Sequence, residues 1–173
     1  MITTGRTDAP TLARAEDASL TAVQALAERV WRTHYPGIIT PDQIDYMLRR
    51  SYALPVLAGF LHRTDAGIEL AYMQSELAGF AAWYLMDDGA AAKLDRLYVA
   101  AECQRRGIGG RLVARVVELA RAAGAVRVVL NVNKHNVQAQ RAYRKHGFAV
   151  REAVVVDIGQ GYVMDDYVME RLL

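Results

Sequence analysis

The chain has 173 residues, 53% of them hydrophobic, and its 21 Lys and Arg against 19 Asp and Glu leave a net charge of +2. This length predicts one domain, over residues 10–173, with a core of its own, and the apolar content excludes a disordered chain. A net charge this small gives no reason to expect a nucleic-acid partner. Cys103 is the only cysteine, which excludes an internal disulfide and a cysteine zinc cluster.

No apolar run approaches the roughly 18 residues of a membrane span, and the first residues lack the apolar region of a signal peptide. We therefore expect a cytoplasmic protein without a membrane partner. The four histidines are too scattered along the sequence to predict a metal site.

The first third of the chain predicts one strand and two helices. Residues 1–9 are polar and expected to be flexible, and residues 11–15 predict a short strand. Asp17 is the predicted N-cap of a helix that runs to residue 34. After a break at a Tyr-Pro-Gly segment, a Thr-Pro pair begins a second helix over residues 40–51.

The middle of the chain predicts a run of strands around one helix. Residues 67–74 and 77–86 are rich in apolar and aromatic side chains and predict a hairpin with its turn at Ser75-Glu76. Residues 92–99 alternate between apolar and polar, as a half-buried strand does. A helix follows over residues 108–123, and the β-branched run at 126–132 predicts another strand.

The last part of the chain predicts a short helix and a final hairpin. Asn136 is the predicted cap of the helix, Gly147 ends it, and strands follow over residues 148–158 and 162–171. The order β, α, α, β, β, β, α, β, α, β, β predicts an α+β fold of three layers, with a mixed, mostly antiparallel sheet between helices. It excludes a doubly wound parallel sheet.

A glycine-rich turn joins strand 92–99 to the central helix. At the start of this helix the first backbone N–H groups have no partner within the helix. Gly107, Gly109 and Gly110 carry no side chains that would keep a ligand away, so the turn is a candidate pyrophosphate cradle. An ordinary strand-to-helix turn is the alternative. Neither common nucleotide fingerprint fits. The Walker pattern lacks its Gly-Lys-Ser/Thr ending, and Leu112 stands where the Rossmann pattern Gly-x-Gly-x-x-Gly requires its third glycine.

Four segments, taken in order, resemble the GCN5-related N-acetyltransferase (GNAT) superfamily. They are Leu97-Tyr98-Val99, then Gln104-Arg105-Arg106-Gly107-Ile108-Gly109, then Asn131-Val132-Asn133 with Asn136, and then Ala142 to Phe148. The hexamer matches that family's Gln/Arg-x-x-Gly-x-Gly/Ala signature. The predicted elements follow the family's order along nearly the whole chain, and the resemblance extends loosely to bacterial polyamine acetyltransferases.

The resemblance implies an N-acetyltransferase that moves the acetyl group of acetyl-CoA to a primary amine by direct attack, without a metal. It also implies a sheet splayed between two central strands, with the pantetheine arm of the cofactor between them. The cofactor-binding residues that it implies are Leu97, Tyr98, Val99, Gln104, Arg105, Arg106, Gly107, Ile108, Gly109, Gly110, Asn136 and Tyr143.

The chemistry of thioester aminolysis needs an acid, a proton acceptor and donors for an oxyanion. Tyr143 matches the family's general acid, and a phenol with a pKa of about 10 suits that role; packing of a helix against the sheet is the alternative. Relatives often carry Glu where Lys93 stands. Asp95 would share that face of a strand without a bulge and is the candidate base, with a water relay or a neutral amine as alternatives. Free N–H groups near Val99 are the candidate oxyanion donors.

The acceptor site of such proteins usually lies between the first two helices and the final hairpin. Tyr35, Asp157 and Tyr162 are the candidate acceptor-binding residues. With Tyr46, Asp165 and Asp166 they would form an aromatic and acidic pocket for a small cationic amine. Solvated surface turns are the alternative for Asp165 and Asp166.

Three other functions compete with a small-molecule acetyltransferase. They are acetylation of protein N-termini or lysines, acyl-CoA sensing without catalysis, which the lysine at position 93 motivates, and protein interaction without a ligand. A homodimer is a further expectation, because the predicted last strand, 162–171, would leave a sheet edge open.

Overall fold

The computed structural model describes residues 9–173, so the predicted flexible segment lies, apart from Ala9, outside the described residues. The helices are α1 (Leu20–His34), α2 (Pro41–Ser51), α3 (Leu54–Leu61), α4 (Ile108–Ala122) and α5 (Val137–Lys145). The strands are β1 (Thr11–Arg14), β2 (Ala66–Met73), β3 (Glu76–Met86), β4 (Ala91–Val99), β5 (Arg127–Asn133), β6 (Ala149–Gly159) and β7 (Tyr162–Leu172).

All seven strands form one sheet in the order β1-β2-β3-β4-β5-β7-β6. Every neighbouring pair is antiparallel except β4 and β5, which run parallel. The α4 crossover joins these two strands, as a parallel connection requires. The predicted α+β fold with a mixed, mostly antiparallel sheet is confirmed.

Two apolar cores cover the two faces of the sheet. On one face, Leu112 and Val116 of α4 pack on β4 and β5, and Tyr143 of α5 packs beside them. On the other face, α1, α2 and α3 cover Phe80 and Leu70 of the hairpin strands. The alternation of side chains along each strand divides the apolar residues between the two cores. The site described below crosses the sheet between them.

Helix α3 is the element that sequence reasoning missed. Its eight residues are nearly all apolar, and a run this short and uniform shows no helical period. Pro55 stands in its first turn, where the missing N–H costs nothing. Leu57 is fully buried against the second core, so α3 is a part of the layer that covers the sheet.

Two predicted helix starts have different outcomes. Thr40 caps α2, because its hydroxyl accepts a hydrogen bond from the backbone N–H of Gln43 at 3.2 Å. The prediction for Asp17 was wrong. Asp17–Ser19 forms a 3-10 turn, and the Ser19 hydroxyl accepts a hydrogen bond from the backbone N–H of Glu16 and donates one to the Glu16 carbonyl. Helix α1 therefore begins at Leu20, two residues later than expected for an Asp17 cap.

The final hairpin differs from the expectation in its strand order. Strand β7 lies between β5 and β6, so β6 and not the last strand forms the sheet edge. The edge that was expected on residues 162–171 is therefore occupied on both sides. The homodimer stays a prediction. Its contact is now expected at the edge strand β6, where Val155 and most other residues are exposed.

No helix within residues 9–173 is both long enough and apolar enough to cross a membrane.

We predict that Leu57→Ala lowers the free energy of unfolding by about 2–5 kcal/mol, because it removes a buried side chain and leaves a cavity between α3 and the sheet. The matched control is Val56→Ala on the exposed side of the same helix, which should change it by less than about 0.5 kcal/mol. Urea unfolding of both variants measures this. Equal, small effects would contradict the packing of α3.

Candidate active site

Strands β4 and β5 pair over only part of their length. Their register joins Ala91 to Arg127, Ala92 to Val128 and Lys93 to Val129, and the pairing ends there. On its outer side β4 stays paired with β3 up to Val99, and β5 stays paired with β7 up to its last residue. The two facing edges therefore diverge into a V-shaped gap. Beyond Lys93 the backbone groups of β4 that face this gap have no strand partner in the described part of the chain.

A β-bulge lies at the point where the strands separate. Ala82 of β3 stands opposite Arg96 of β4, and Trp83 stands opposite Leu94, so Asp95 is the extra residue. A bulge bends its strand and increases the local twist, which turns the end of β4 away from β5. At the closed end of the gap, where the pairing stops, the Lys93 ammonium donates a hydrogen bond to the side-chain oxygen of Asn131.

A cavity of about 1130 Å³ occupies the gap and extends to both faces of the sheet. Most of the predicted cofactor, catalytic and acceptor residues line it. They are Tyr35, Asp95, Leu97, Tyr98, Val99, Gln104, Arg105, Gly107, Ile108, Gly109, Gly110, Asn136 and Tyr143. Five predicted residues are not among the lining residues, namely Tyr46, Arg106, Asp157, Tyr162 and Asp165. Arg106 directly precedes Gly107 in the chain and is exposed.

The glycine turn presents free backbone N–H groups to the cavity. Gly107 is the N-cap of α4 with φ +78°, a left-handed conformation that favours glycine, and Arg105 also has a positive φ of 64°. The N–H of Arg111 donates to the carbonyl of Gly107 at 3.1 Å, so the N–H groups of residues 108–110 precede the first intrahelical bond. A Cβ on Gly110 would lie 2.7 Å from Cε1 of His146. The turn is a positive, open cradle for an anion.

Side-chain amides connect this turn to helix α5. The Asn136 side-chain oxygen accepts a hydrogen bond from the N–H of Ala139 at 3.2 Å and so caps α5, as predicted. Its NH2 group remains for another partner. On the other side, the Gln104 amide donates to the carbonyl of Val99 at 3.4 Å and accepts from Gln138 at 3.4 Å. These contacts hold the end of β4, the turn and α5 in one arrangement.

Tyr143 lies on α5 and faces the cavity from the α4 side of the sheet. Its ring packs edge-on against Phe148, with ring centroids 5.8 Å apart. Burial raises the pKa of Tyr143 above its ordinary value near 10. The hydroxyl therefore stays protonated throughout the physiological range and remains a proton donor.

The opposite end of the cavity, on the α1–α2 side, is aromatic. Trp31 stacks on Tyr35 with ring centroids 4.2 Å apart, and Tyr52 and Tyr98 pack around them at 5.7 and 6.2 Å from Trp31. Burial raises the pKa of Tyr52 and Tyr98, so both phenols are neutral. Sequence reasoning identified Tyr35 for this wall and did not name Trp31 or Tyr52 as acceptor-binding residues.

Two carboxylates reach the aromatic end of the cavity. Asp95 has 28% of its side chain exposed and lies 3.6 Å from the guanidinium of Arg96. Asp166 of β7 is buried, with 6% of the residue exposed, and its Oδ1 has no hydrogen-bond partner in residues 9–173. Burial raises the pKa of Asp166. The alternative explanation of Asp166 as a solvated surface turn was therefore wrong.

Comparison with known proteins identifies the family. The sequence profile of the Acetyltransferase (GNAT) family matches residues 23–148. The chain belongs to this family. An uncharacterized N-acetyltransferase of Mycobacterium tuberculosis is 29% identical over 149 residues, which cover 86% of this chain and 94% of that protein. The spermidine N(1)-acetyltransferase of Thermoplasma acidophilum is 25% identical over 131 residues, or 73% of this chain and 80% of that one.

A solved GNAT structure has the same fold. The PaiA N-acetyltransferase of Thermoplasma acidophilum, crystallised in complex with coenzyme A, superposes with a TM-score of 0.83 at 23% identity and covers 95% of this chain and 99% of that one. The resemblance to the GNAT superfamily and to polyamine acetyltransferases is therefore confirmed, and the protein is an N-acetyltransferase by family.

In the present protein Asp157 and Tyr162 lie outside the cavity, near the turn of the final hairpin. The Asp157 carboxylate accepts a hydrogen bond from the N–H of Gly159 at 2.7 Å and so stabilises its own turn. The Tyr162 ring lies 5.2 Å from that of Tyr46, whose hydroxyl donates to the carbonyl of Ile158 at 2.5 Å. Their expected contact with the acceptor stays a prediction.

Within the described residues, no group of three or more His, Cys, Asp or Glu side chains is placed to hold a metal ion.

Proposed function

We propose that the protein transfers the acetyl group of acetyl-CoA to the primary amine of a small cationic acceptor, by direct attack of the amine on the thioester. The observation that carries the proposal is the V-shaped gap between β4 and β5, which leads from the open glycine turn on one face to an aromatic and acidic cavity on the other. Acetyl-CoA entering from one face and an amine acceptor entering from the other can therefore meet within the sheet.

The residues along the gap fit the chemistry of coenzyme A. A pantetheine arm carries amides. On the side of β4 that faces the gap, the backbone of Leu97–Val99 has no strand partner among the described residues and offers the hydrogen-bonding groups that a neighbouring strand would otherwise use. The N–H groups of residues 108–110 suit the pyrophosphate, with Arg105 and Arg106 adding positive charge at the rim. Gln104 and the free NH2 group of Asn136 add donors between these two regions. The coenzyme A complex of the PaiA relative supports this assignment.

Tyr143 is the proposed general acid, which protonates the thiolate as it leaves. Free N–H groups near Val99 are the proposed donors to the oxyanion. Asp95 is the base proposed from the sequence on the condition of a strand without a bulge. That condition is not met, because Asp95 is itself the bulged residue, but Asp95 lines the same cavity.

The aromatic end of the cavity suits a cationic acceptor, because neutral Tyr35, Tyr52 and Trp31 present ring faces and Asp166 presents a negative charge. The spermidine acetyltransferase relative supports a cation of this kind. Asp157 and Tyr162 would contact only an acceptor long enough to extend along α2 to the hairpin turn.

An acceptor panel tests this function. The purified protein is incubated with acetyl-CoA and one of spermidine, 1,4-diaminobutane, n-butylamine, N-α-acetyl-lysine or a peptide with a free N-terminus, and release of coenzyme A thiol is recorded. We expect the diamine and spermidine to react fastest. Peptide or lysine preference would favour the protein-acetylating alternative, and acetyl-CoA binding without turnover of any amine would favour the sensor.

We predict that Tyr143→Phe lowers kcat by up to about 10²–10⁴-fold, the range of one acid–base residue. Because burial raises the pKa of the phenol, Tyr143 stays protonated below pH 10, and the wild-type rate should not fall in that range through its deprotonation. Steady-state rates with the best amine of the panel measure both effects. Tyr72→Phe on β2, away from the cavity, is the matched control. A Tyr143→Phe rate equal to wild type contradicts the role.

A further inference from the structure

The Asp166 carboxylate is an incomplete hydrogen-bonding group inside the cavity. It lies on β7 opposite Asn133, the last residue of β5, on the face of the sheet that α2 covers. Its Oδ1 is buried and unpartnered within the described residues. Burial of a carboxylate without a partner is costly, and the cost is recovered when a donor binds. The unpartnered oxygen therefore indicates a ligand that carries N–H donors.

The cations nearest to Asp166 are already paired with other groups. The Lys93 ammonium of β4 donates to the side-chain oxygen of Asn131, and the Lys134 ammonium donates to Asp165. Hydrogen bonding by the Asn131 side chain of β5 partly opposes the effect of burial on the pKa of Asp166. The charges of the two lysines also oppose it, whereas the charge of Asp165 adds to it. Tyr35, the residue that follows α1, lines the same cavity as Asp166. None of these groups occupies Oδ1.

Asp166 and the proposed acid, Tyr143, line the same cavity. Tyr35 lines this cavity as well, and burial raises the pKa of its phenol, which is therefore neutral. Tyr143 packs on the α4 side of the sheet and Asp166 faces the α2 side. A bound amine between them would have the proposed acid on one side and a carboxylate on the other.

We propose that Asp166 binds the acceptor ammonium through Oδ1 and takes the proton that must leave before the nitrogen attacks. This inference rests on the proposed function. The ammonium gives one proton to the carboxylate, and the neutral amine forms the C–N bond at the thioester carbon. As the C–S bond breaks, Tyr143 protonates the sulfur and regains a proton from the nitrogen. Asp166 then releases its proton to solvent, so that one proton is produced for each acetyl group transferred.

Asp166 is better placed for this role than Asp95. Asp95 has a guanidinium partner within the protein and is partly exposed at the bulge, whereas the free oxygen of Asp166 is buried. Burial also disfavours the charged form of a carboxylate, which raises the pKa of Asp166 and makes it a stronger base than an exposed aspartate.

The test compares Asp166→Asn, Asp95→Asn and Asp165→Asn by the pH dependence of kcat at saturating amine, with 1,4-diaminobutane as the probe. Asp165 is the matched control, because it neighbours Asp166 and is paired with Lys134. We expect Asp166→Asn to lower kcat by about 10²–10⁴-fold. Its residual rate should rise with pH in step with the free amine, without the plateau that wild type and Asp165→Asn show. Asp166→Glu should restore part of the plateau.

A binding measurement separates this inference from the proposed function. Calorimetric titration of 1,4-diaminobutane into the protein saturated with coenzyme A should show binding to wild type and Asp165→Asn and a large loss in Asp166→Asn, with coenzyme A affinity unchanged. If no amine is acetylated but this loss appears, the proposed function fails and only the ammonium site remains. An unchanged profile and affinity in Asp166→Asn, or loss of the plateau in Asp95→Asn alone, would overturn the inference.

Discussion

The end of pairing between β4 and β5 is the constraint on which the rest of this structure depends. Three residue pairs hold the two strands together, and then the bulge at Asp95 turns β4 away while β3 and β7 keep the outer edges paired. A sheet interior normally satisfies its own backbone groups, so a gap within it leaves hydrogen-bonding capacity that a ligand can use. The glycine turn follows β4 after a 3-10 turn at Ala101–Cys103, beyond the point where the pairing with β5 has ended.

The gap also explains why the two apolar cores matter for function. Tyr143 belongs to the core under α4 and α5, whereas Tyr35 and Tyr52 belong to the core under α1–α3. Because the cavity passes through the sheet, each core supplies one wall of the same site. Helix α3, which touches no proposed substrate, stabilises the aromatic wall indirectly by covering the sheet beside it.

Local features were predictable from sequence and long-range ones were not. The glycine turn, the Thr40 and Asn136 caps and the order of most elements follow from residues that are near one another in the chain. The depth of Asp166 depends on β7 entering the sheet between β5 and β6, which no local pattern encodes. The bulge at Asp95 depends on the register with β3. The resemblance to the GNAT superfamily supplied the splayed sheet, which periodicity alone does not predict.

Acetyl-CoA binding tests the central claim most directly, by the melting temperature of wild type, Gly107→Glu and Gly161→Glu with and without the ligand. Both glycines have φ +78° and open space at the Cβ position, but only Gly107 borders the cavity. At about a hundred times its Kd the ligand should add roughly 2.7 kcal/mol, a shift of several degrees, to wild type and Gly161→Glu and little to Gly107→Glu. No shift in wild type at millimolar ligand, or equal shifts in both variants, would contradict the account.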